Sequence, residues 1–477
     1  MRKSVDQMVI LKFGGTSVGE SDARRRVLEI VEAERRPRVV VVSALSGVTD
    51  ALLEMAAAGA TPESLRALDT LLDRHLTAAR VLNAGPRRTG LEDDLRRICA
   101  QVSIVLRTCV GGATTRSCDE IVAAGELWSS RLLAALLRER GTPVEWIDAR
   151  HVVRTNSEHG AAAPDLDATR AAVDRLIAPV VSGGSVAVVG GFLGSDPLGT
   201  TTTLGRGGSD YSAAVLGACL DAEEIQIWTD VDGVLTADPR ILPHARLVPH
   251  LSYGEAHDLA CFGAKVLHPG TITPAVQRNI PVTVRNSHRP AGPGTLVTER
   301  ERIDRRRGVV AGLACRPGVT LVEATACEGS EAGAVTSRLF EALEATRVGQ
   351  VVLAERYGDR LILTIQSLPG STAPAGESLD EVMKRALAEA ADVRVRTALA
   401  MVVVVGENVT SESGVLAEAT EALREVPVYL TGRPAGGRTL AFVVDGANVA
   451  SALGRLHDCF FGLAGTHRSV SSDVVQA

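Results

Sequence analysis

Lysine is nearly absent from this chain: of 51 basic residues in 477, only Lys3, Lys12, Lys265 and Lys384 are lysine. A sequence so biased towards arginine keeps lysine mainly where arginine will not serve. Lysine is a compact point charge on a slim stem and arginine a wide planar fork, so a narrow phosphate pocket can demand the ammonium. Lys12 in Leu11-Lys12-Phe13-Gly14-Gly15-Thr16-Ser17 and Lys265 in Phe262-Gly263-Ala264-Lys265 are therefore the first candidates for chemistry. Taken alone, either is equally compatible with a solvated surface position.

Other absences narrow the class. No run of about 18 apolar residues exists to span a bilayer. Residues 1–7 lead straight into a strand without the apolar core of a signal peptide, so a cytoplasmic location is expected. Eight cysteines are scattered with no CxxC pair, which argues for reduced thiols and against a protein-held metal or a disulfide framework. The formal net charge is −6 and no long basic block occurs, so neither nucleic acid nor an anionic membrane is an expected partner. The short clusters Arg24-Arg25-Arg26 and Arg305-Arg306-Arg307 have Asp22 and Asp304 beside them and read as solvated faces.

Short apolar runs dominate the first 300 residues: Met8-Val9-Ile10-Leu11, Val39-Val40-Val41-Val42, Val144-Glu145-Trp146-Ile147, Ser185 to Val189 and Glu224 to Trp228. Alternating with helical periodicity, they predict an α/β domain whose mostly parallel open sheet is covered by helices on both faces. Each run ends in a loop holding Gly, Ser, Thr or Asp, the edge at which such sheets bind ligands. Glu63 to Val110 carries long helical patterns, consistent with an insertion or lid. Beyond a charged linker at Glu299 to Arg307, a strand, helix, strand, strand, helix arrangement of roughly 70 residues occurs twice. The first copy is Thr320–Ala326, Ala334–Ala345, Gln350–Glu355, Arg360–Gln366 and Leu379–Ala391; the second is Ala400–Val405, Gly414–Arg424, Val428–Thr431, Thr439–Val444 and Val449–Phe460. The expected domains are 1–300, 308–395 and 396–470.

Three segments can carry chemistry. Lys12-Phe13-Gly14-Gly15-Thr16-Ser17 follows a strand, and its glycines let backbone N–H groups approach a phosphate, although the Walker order is absent. Gly205-Arg206-Gly207-Gly208-Ser209-Asp210 puts a fixed cation beside a helix start: the guanidinium suits a carboxylate and the helix terminus a phosphate. Asp210 could instead be an N-cap. Trp228-Thr229-Asp230-Val231-Asp232-Gly233-Val234-Leu235 ends a strand with a hydroxyl, carboxylates and a turn. Glu126, in Ala124-Gly125-Glu126-Leu127-Trp128, opens an apolar helix, where a dipole alone would favour an acid.

These motifs, with Phe262-Gly263-Ala264-Lys265-Val266-Leu267-His268-Pro269 and the tandem C-terminal repeat, resemble aspartate kinase in their order along nearly the whole chain. The resemblance implies an amino-acid-kinase fold followed by two ferredoxin-like ACT modules, without a homoserine dehydrogenase domain. It implies ATP-dependent phosphorylation of the β-carboxylate of L-aspartate, with Mg²⁺ entering on ATP, and a homodimer or larger oligomer formed through the ACT modules. Lys12 with Gly14 and Gly15 would hold the transferring phosphates. Ser43, Thr49, Glu126 and Arg206 would hold aspartate, Glu126 facing its ammonium and Arg206 its α-carboxylate. Phe192, Ser209 and Asp210 would complete the acceptor and phosphate side, and Thr229, Asp230, Leu235, Arg240 and Lys265 the ATP side. Leu235 stands where relatives often carry Tyr. Lysine-sensitive relatives carry a Met before a Gly-Phe-Leu turn, then an Asp and a Ser-Glu pair on the next strand. This chain has Glu328 to Val335 and Gln350 to Arg356 there, so weak lysine inhibition is expected. Two other readings stay open: a kinase for another acidic amino acid, and an inert amino-acid sensor.

Overall fold

The structure, a computed structural model, describes residues 8–462 apart from 110, 265–268, 300–308, 329–330, 347–348, 368–378, 389 and 435. Contacts divide these into two compact units, one of residues 8–234, 249–253 and 269–299, the other of 235–248, 254–264 and 309–462. The linear expectation places 235–248 and 254–264 with the first 300 residues; by contacts they belong to the second unit.

The first unit is built on strands β1 (Val9–Phe13), β2 (Arg38–Val42), β3 (Val144–Ile147), β4 (Val186–Gly190), β7 (Glu224–Thr229), β8 (His250–Ser252), β9 (Val282–Asn286) and β10 (Thr295–Thr298). Their order in the sheet is β3-β4-β2-β1-β7-β9-β10-β8, with β10 antiparallel to β9 and the other pairings parallel. The apolar runs become the central strands because both of their faces are covered: Val9, Ile10 and Leu11 are fully buried, as are Val39 to Val42. The chain leaves β1 towards β2 and returns on β1's other side at β7. That reversal gathers the loops after β1, β2, β4 and β7 at one edge, where open α/β sheets hold ligands. Between β4 and β7, a small hairpin of β5 (Leu193–Ser195) and β6 (Thr201–Thr203) leads into the helix Gly208–Leu220.

The helical stretch expected as an insertion or lid is a packed layer. Helices Pro62–Ala79 and Pro86–Thr108 bury Leu68, Leu95 and Leu106 against the helix Ala124–Glu139. Trp128 of that helix, fully buried, donates its indole N–H to the Leu95 carbonyl at 3.0 Å.

In the second unit, β11 (Gly312–Ala326), β12 (Gly349–Tyr357), β13 (Arg360–Ser367), β14 (Ala391–Val405), β15 (Val428–Gly432) and β16 (Thr439–Asp445) form one sheet in the order β12-β13-β11-β14-β16-β15. The repeat is present, but its two copies are fused. β11 and β14 are each 15 residues long and pair antiparallel over most of their length. Val319 to Thr325 of β11 pair with β13 of the first copy, whereas Gly312 to Pro317 pair with Val405 to Ala400 of the second. The switch falls at Pro317-Gly318, where the register shifts: Pro lacks the N–H that a ladder needs, and Gly318 takes a φ of +70°. Two cores follow, one around Val322, Leu339, Leu363 and Met383, the other around Leu313, Val402, Phe442 and Leu456. The helix expected over Leu379–Ala391 stops at Leu387, because Ala391 pairs with Ala326 and begins β14. Ala237 and Leu242 join the second core, and Asp258 accepts the Arg438 Nε–H at 3.0 Å.

Candidate active site

A cleft of about 610 Å³ opens at the loop-bearing edge of the first sheet. It brings together eight of the residues singled out from sequence for the acceptor and the phosphates: Lys12, Ser43, Thr49, Glu126, Phe192, Arg206, Ser209 and Asp210, with Gly15 beside them. Each comes from a loop or helix start that the sheet delivers: Lys12 from β1, Ser43 from the end of β2, Phe192 from the end of β4, and Arg206 to Asp210 from the loop entering the Gly208–Leu220 helix.

At one end, Lys12 Nζ lies 2.6 Å from Asp210 Oδ1. Lys12 is 8% exposed, which answers the surface alternative against it. Nor is Asp210 an N-cap: Gly207 caps the helix at φ +73° without any side-chain bond, and Asp210 is the third residue of its first turn. The Gly208 N–H donates to the Gly205 carbonyl at 3.0 Å, no side chain caps the N–H groups of Ser209 and Asp210 after it, and the backbone is crowded against its neighbours. A Cβ on Gly208 would meet the Phe192 ring at 2.5 Å, and one on Gly15 the Ala44 carbonyl at 2.7 Å. Phe192 itself has a φ of +67°, and its N–H is held by Ser212 Oγ at 2.8 Å.

At the other end stand an acid with one unpartnered oxygen and a cation without a partner among the described residues. Glu126, 3% exposed, accepts the Ala44 N–H on Oε1 at 3.0 Å, while Oε2 is buried without a hydrogen-bond partner. Burial pushes its pKa up to about 8, against the pull of the Ala44 N–H and the Lys12 charge. The raised value means that the free protein loses stability as pH rises from the usual carboxylate range through 8, since the unfolded chain ionises first. An incoming ammonium would reverse the penalty and expel the proton. Binding of an ammonium-bearing ligand against Glu126 near pH 7 would therefore release about one proton per site, with apparent affinity rising up to about tenfold per pH unit below 8. Calorimetry in buffers of different ionisation enthalpy reads the release directly. An unchanged heat across buffers would show that Glu126 is already ionised. Arg206 is exposed at the rim and makes no hydrogen bond or ion pair with the described residues.

The nucleotide-side residues are less concentrated. Thr229 ends β7 and Asp230 follows it, next to the glycine turn: Gly14 N–H donates to the Trp228 carbonyl at 3.1 Å, and the Thr229 hydroxyl donates to Asp230 at 3.1 Å. Leu235 and Arg240 fall in the second unit, where Leu235 bridges to Leu247 and Arg240 is paired with Asp238. Lys265 lies outside the described residues.

One acid in the cleft went unnoticed in the sequence. Asp119, 1% exposed, sits in the helix Thr115–Val122 and accepts from the Thr203 hydroxyl and the Gly160 N–H. The available signal was slight: Asp119 and Glu120 form a pair of acids directly ahead of the apolar run Ile121 to Gly125 that leads to Glu126.

No group of three metal-ligating side chains forms in the cleft among the described residues. The one carboxylate at the phosphate end, Asp210, is matched by Lys12. That donor set does not build a cage, but it fits a divalent ion carried by nucleotide phosphates and water.

Comparison with known proteins matches residues 7–286 to the model of the amino acid kinase family. Lysine-sensitive aspartokinase 3 of Escherichia coli K12 is 32% identical over 457 residues, covering 96% of this chain and 100% of that protein. Chloroplastic aspartokinase 1 of Arabidopsis thaliana is 31% identical over 468 residues, 95% of this chain and 80% of that protein. Among solved structures, E. coli aspartokinase III in complex with aspartate and ADP superposes with a TM-score of 0.80 at 32% identity, covering 95% of this chain and 100% of that one.

Proposed function

The chain belongs to the amino acid kinase family and, within it, to the aspartokinases, and from that membership we propose how its own cleft works. The enzyme transfers the γ-phosphoryl group of ATP to the β-carboxylate of L-aspartate, giving 4-phospho-L-aspartate and ADP. The observation that carries the residue assignment is the pairing of a buried, unpartnered carboxylate oxygen on Glu126 with an unpartnered guanidinium on Arg206 in one cleft. An α-amino acid carries the matching ammonium and carboxylate, and its side chain then extends towards Lys12 and Asp210. Ser43, Thr49, Phe192 and Ser209 line the space between and fix the acceptor's orientation.

Chemistry at the far end needs little beyond placement and charge. The β-carboxylate is already ionised near pH 7, so no general base is required. Lys12 meets the charge on the transferring phosphoryl, and Asp210 holds the Lys12 ammonium in place before the nucleotide arrives. The N–H groups of Ser209 and Asp210, in the first turn of the Gly208–Leu220 helix that no side chain caps, supply further donors to phosphate oxygens. Mg²⁺ entering with ATP would neutralise phosphate charge, and Asp210 is the carboxylate that would hold it. Thr229 and Asp230 are assigned to the nucleotide, as are Leu235, Arg240 and Lys265 by their motifs.

Two wider assignments belong to the same reading. β12 and β15 end the six-stranded sheet, and edge strands favour partners, so the ACT modules are assigned the homodimer or higher contact. All eight cysteines are free, which fits a cytoplasmic protein. No helix among the described residues is long and apolar enough to cross a membrane.

An ADP-release assay with a panel of amino acids tests the substrate. Turnover with L-aspartate alone is expected; comparable turnover with another acidic amino acid, or none with any, would overturn the proposal.

Lysine sensitivity is a separate expectation. Although the E. coli relative is named lysine-sensitive, Gln350 stands here where such relatives offer Asp, and Gly333-Ala334-Val335 lacks the bulky Phe of that turn. A buried ammonium without a carboxylate partner costs several kcal/mol, roughly. Lysine titrated at saturating ATP and sub-saturating aspartate should inhibit weakly or not at all. Half-inhibition at micromolar lysine would show that Glu328 or Glu331, both exposed near that turn, provides the missing anion.

A further inference from the structure

We propose that Asp119 is a positioning residue for aspartate: it fixes the backbone leading into Arg206 and the loop facing it, and so places a guanidinium that no side chain among the described residues holds. The inference rests on the assignment of Arg206 to the acceptor's carboxylate. Asp119 is 1% exposed, and its carboxylate is saturated by donors from two other segments. The Thr203 hydroxyl donates to Oδ1 at 2.5 Å. The Gly160 N–H lies 3.1 Å from Oδ1 and 3.0 Å from Oδ2, and His159 Nδ1 lies 2.9 Å from Oδ2. One side chain thus ties the Thr115–Val122 helix to β6 and to the loop through Gly160.

Both tied segments bear on Arg206. Thr203 ends β6 three residues before it, and the two are separated by Leu204 and Gly205. The Leu204 N–H is held by the Phe192 carbonyl at 2.9 Å, and the Thr203 carbonyl accepts the Ala162 N–H at 2.8 Å. Gly205 then turns with a φ of +72°, its Cα so close to the other segment that a Cβ would stand 3.2 Å from the Gly160 carbonyl. Gly160 is therefore gripped by Asp119 through its N–H and set against Gly205 through its carbonyl side. Arg206 has no side-chain partner among the described residues, so the starting point and Cα–Cβ direction of its side chain, which this backbone sets, are what hold its guanidinium within reach of the acceptor. A bidentate carboxylate contact depends steeply on that direction, and a shift of about 1 Å in a positioning group costs on the order of a hundredfold.

A buried carboxylate suits the task better than an amide. It offers lone pairs on both oxygens to the Thr203, Gly160 and His159 donors, whereas an amide gives up one oxygen for an N–H₂ that no donor here can use. Asp119→Asn keeps the volume and is expected to raise KM for aspartate by about tenfold or more while leaving KM for ATP within about twofold. Thr203→Val, which removes one donor and leaves the acid, should show the same split in smaller measure, and Thr203→Ser should restore parent values.

The decisive experiment is a double-mutant cycle of Asp119→Asn with Arg206→Ala, following both KM values and kcat on purified full-length protein. If Asp119 acts through Arg206, Asp119→Asn adds little to the KM for aspartate once Arg206 is gone. Full additivity, or parallel loss for aspartate and ATP, would overturn the inference and leave Asp119 a general structural residue. If Asp119→Asn does not fold, the Thr203 pair decides by the same split. The underlying reading fails separately: Arg206→Ala alone would then leave KM for aspartate unchanged.

Discussion

Lys12→Arg is expected to lower kcat by about a hundredfold or more with the fold intact, although the charge is retained. Lys12 is 8% exposed and its ammonium lies 2.6 Å from Asp210, in a cleft where the Gly14-Gly15 turn leaves no room to recoil: a Cβ on Gly15 would already meet the Ala44 carbonyl at 2.7 Å. The guanidinium is wider and planar, so it must either break the Asp210 pair or displace the phosphoryl group. Misplacement of about 1 Å costs on the order of a hundredfold in such a transfer. Steady-state kinetics with circular dichroism of the variant checks this, and a kcat within a few-fold of the parent would remove Lys12 from the phosphate cradle.

Arg206→Ala should instead act on one substrate. A bidentate charge-assisted contact is worth about 1.5–3 kcal/mol, so KM for aspartate should rise roughly ten- to a hundredfold while KM for ATP stays near the parent. The lack of any partner among the described residues makes this a clean measurement, because none of their buried groups is orphaned by the change. Equal losses for both substrates would move Arg206 to the nucleotide side.

The cleft was legible in the sequence to the extent that its chemistry is local. Lys12 and the glycines after it, Arg206 and Asp210 sit in short motifs whose residue types make sense only near a phosphate or carboxylate, and the sheet does bring them to one edge. Glu126 was legible as a candidate but not as a perturbed acid. An acid in the first turn of a helix is ordinary, and only the packed structure reveals Oε2 sealed without a partner. Asp119 escaped because its role is entirely non-local: its donors lie 40 to 84 residues away.

The same distinction holds in the second unit. Strand and helix periodicity located nearly every element of the repeat, yet the fusion of its copies through β11 and β14 depends on pairing between residues far apart in the chain. Pro317-Gly318 lies inside the expected domain 308–395, yet the consequence of the switch there is that residues 309–317 complete the core of the second copy. Membership of 235–248 and 254–264 in that unit is likewise set by contacts such as Asp258 with Arg438, 180 residues apart.

The central claim is that this cleft phosphorylates the β-carboxylate of aspartate, and trapping the product with hydroxylamine tests it most directly. An acyl phosphate on that carboxylate reacts to give aspartate 4-hydroxamate and inorganic phosphate. The account predicts ATP-dependent formation of this hydroxamate in step with ADP, lost in the Lys12→Arg enzyme. Release of ADP in the presence of aspartate without the hydroxamate would contradict it.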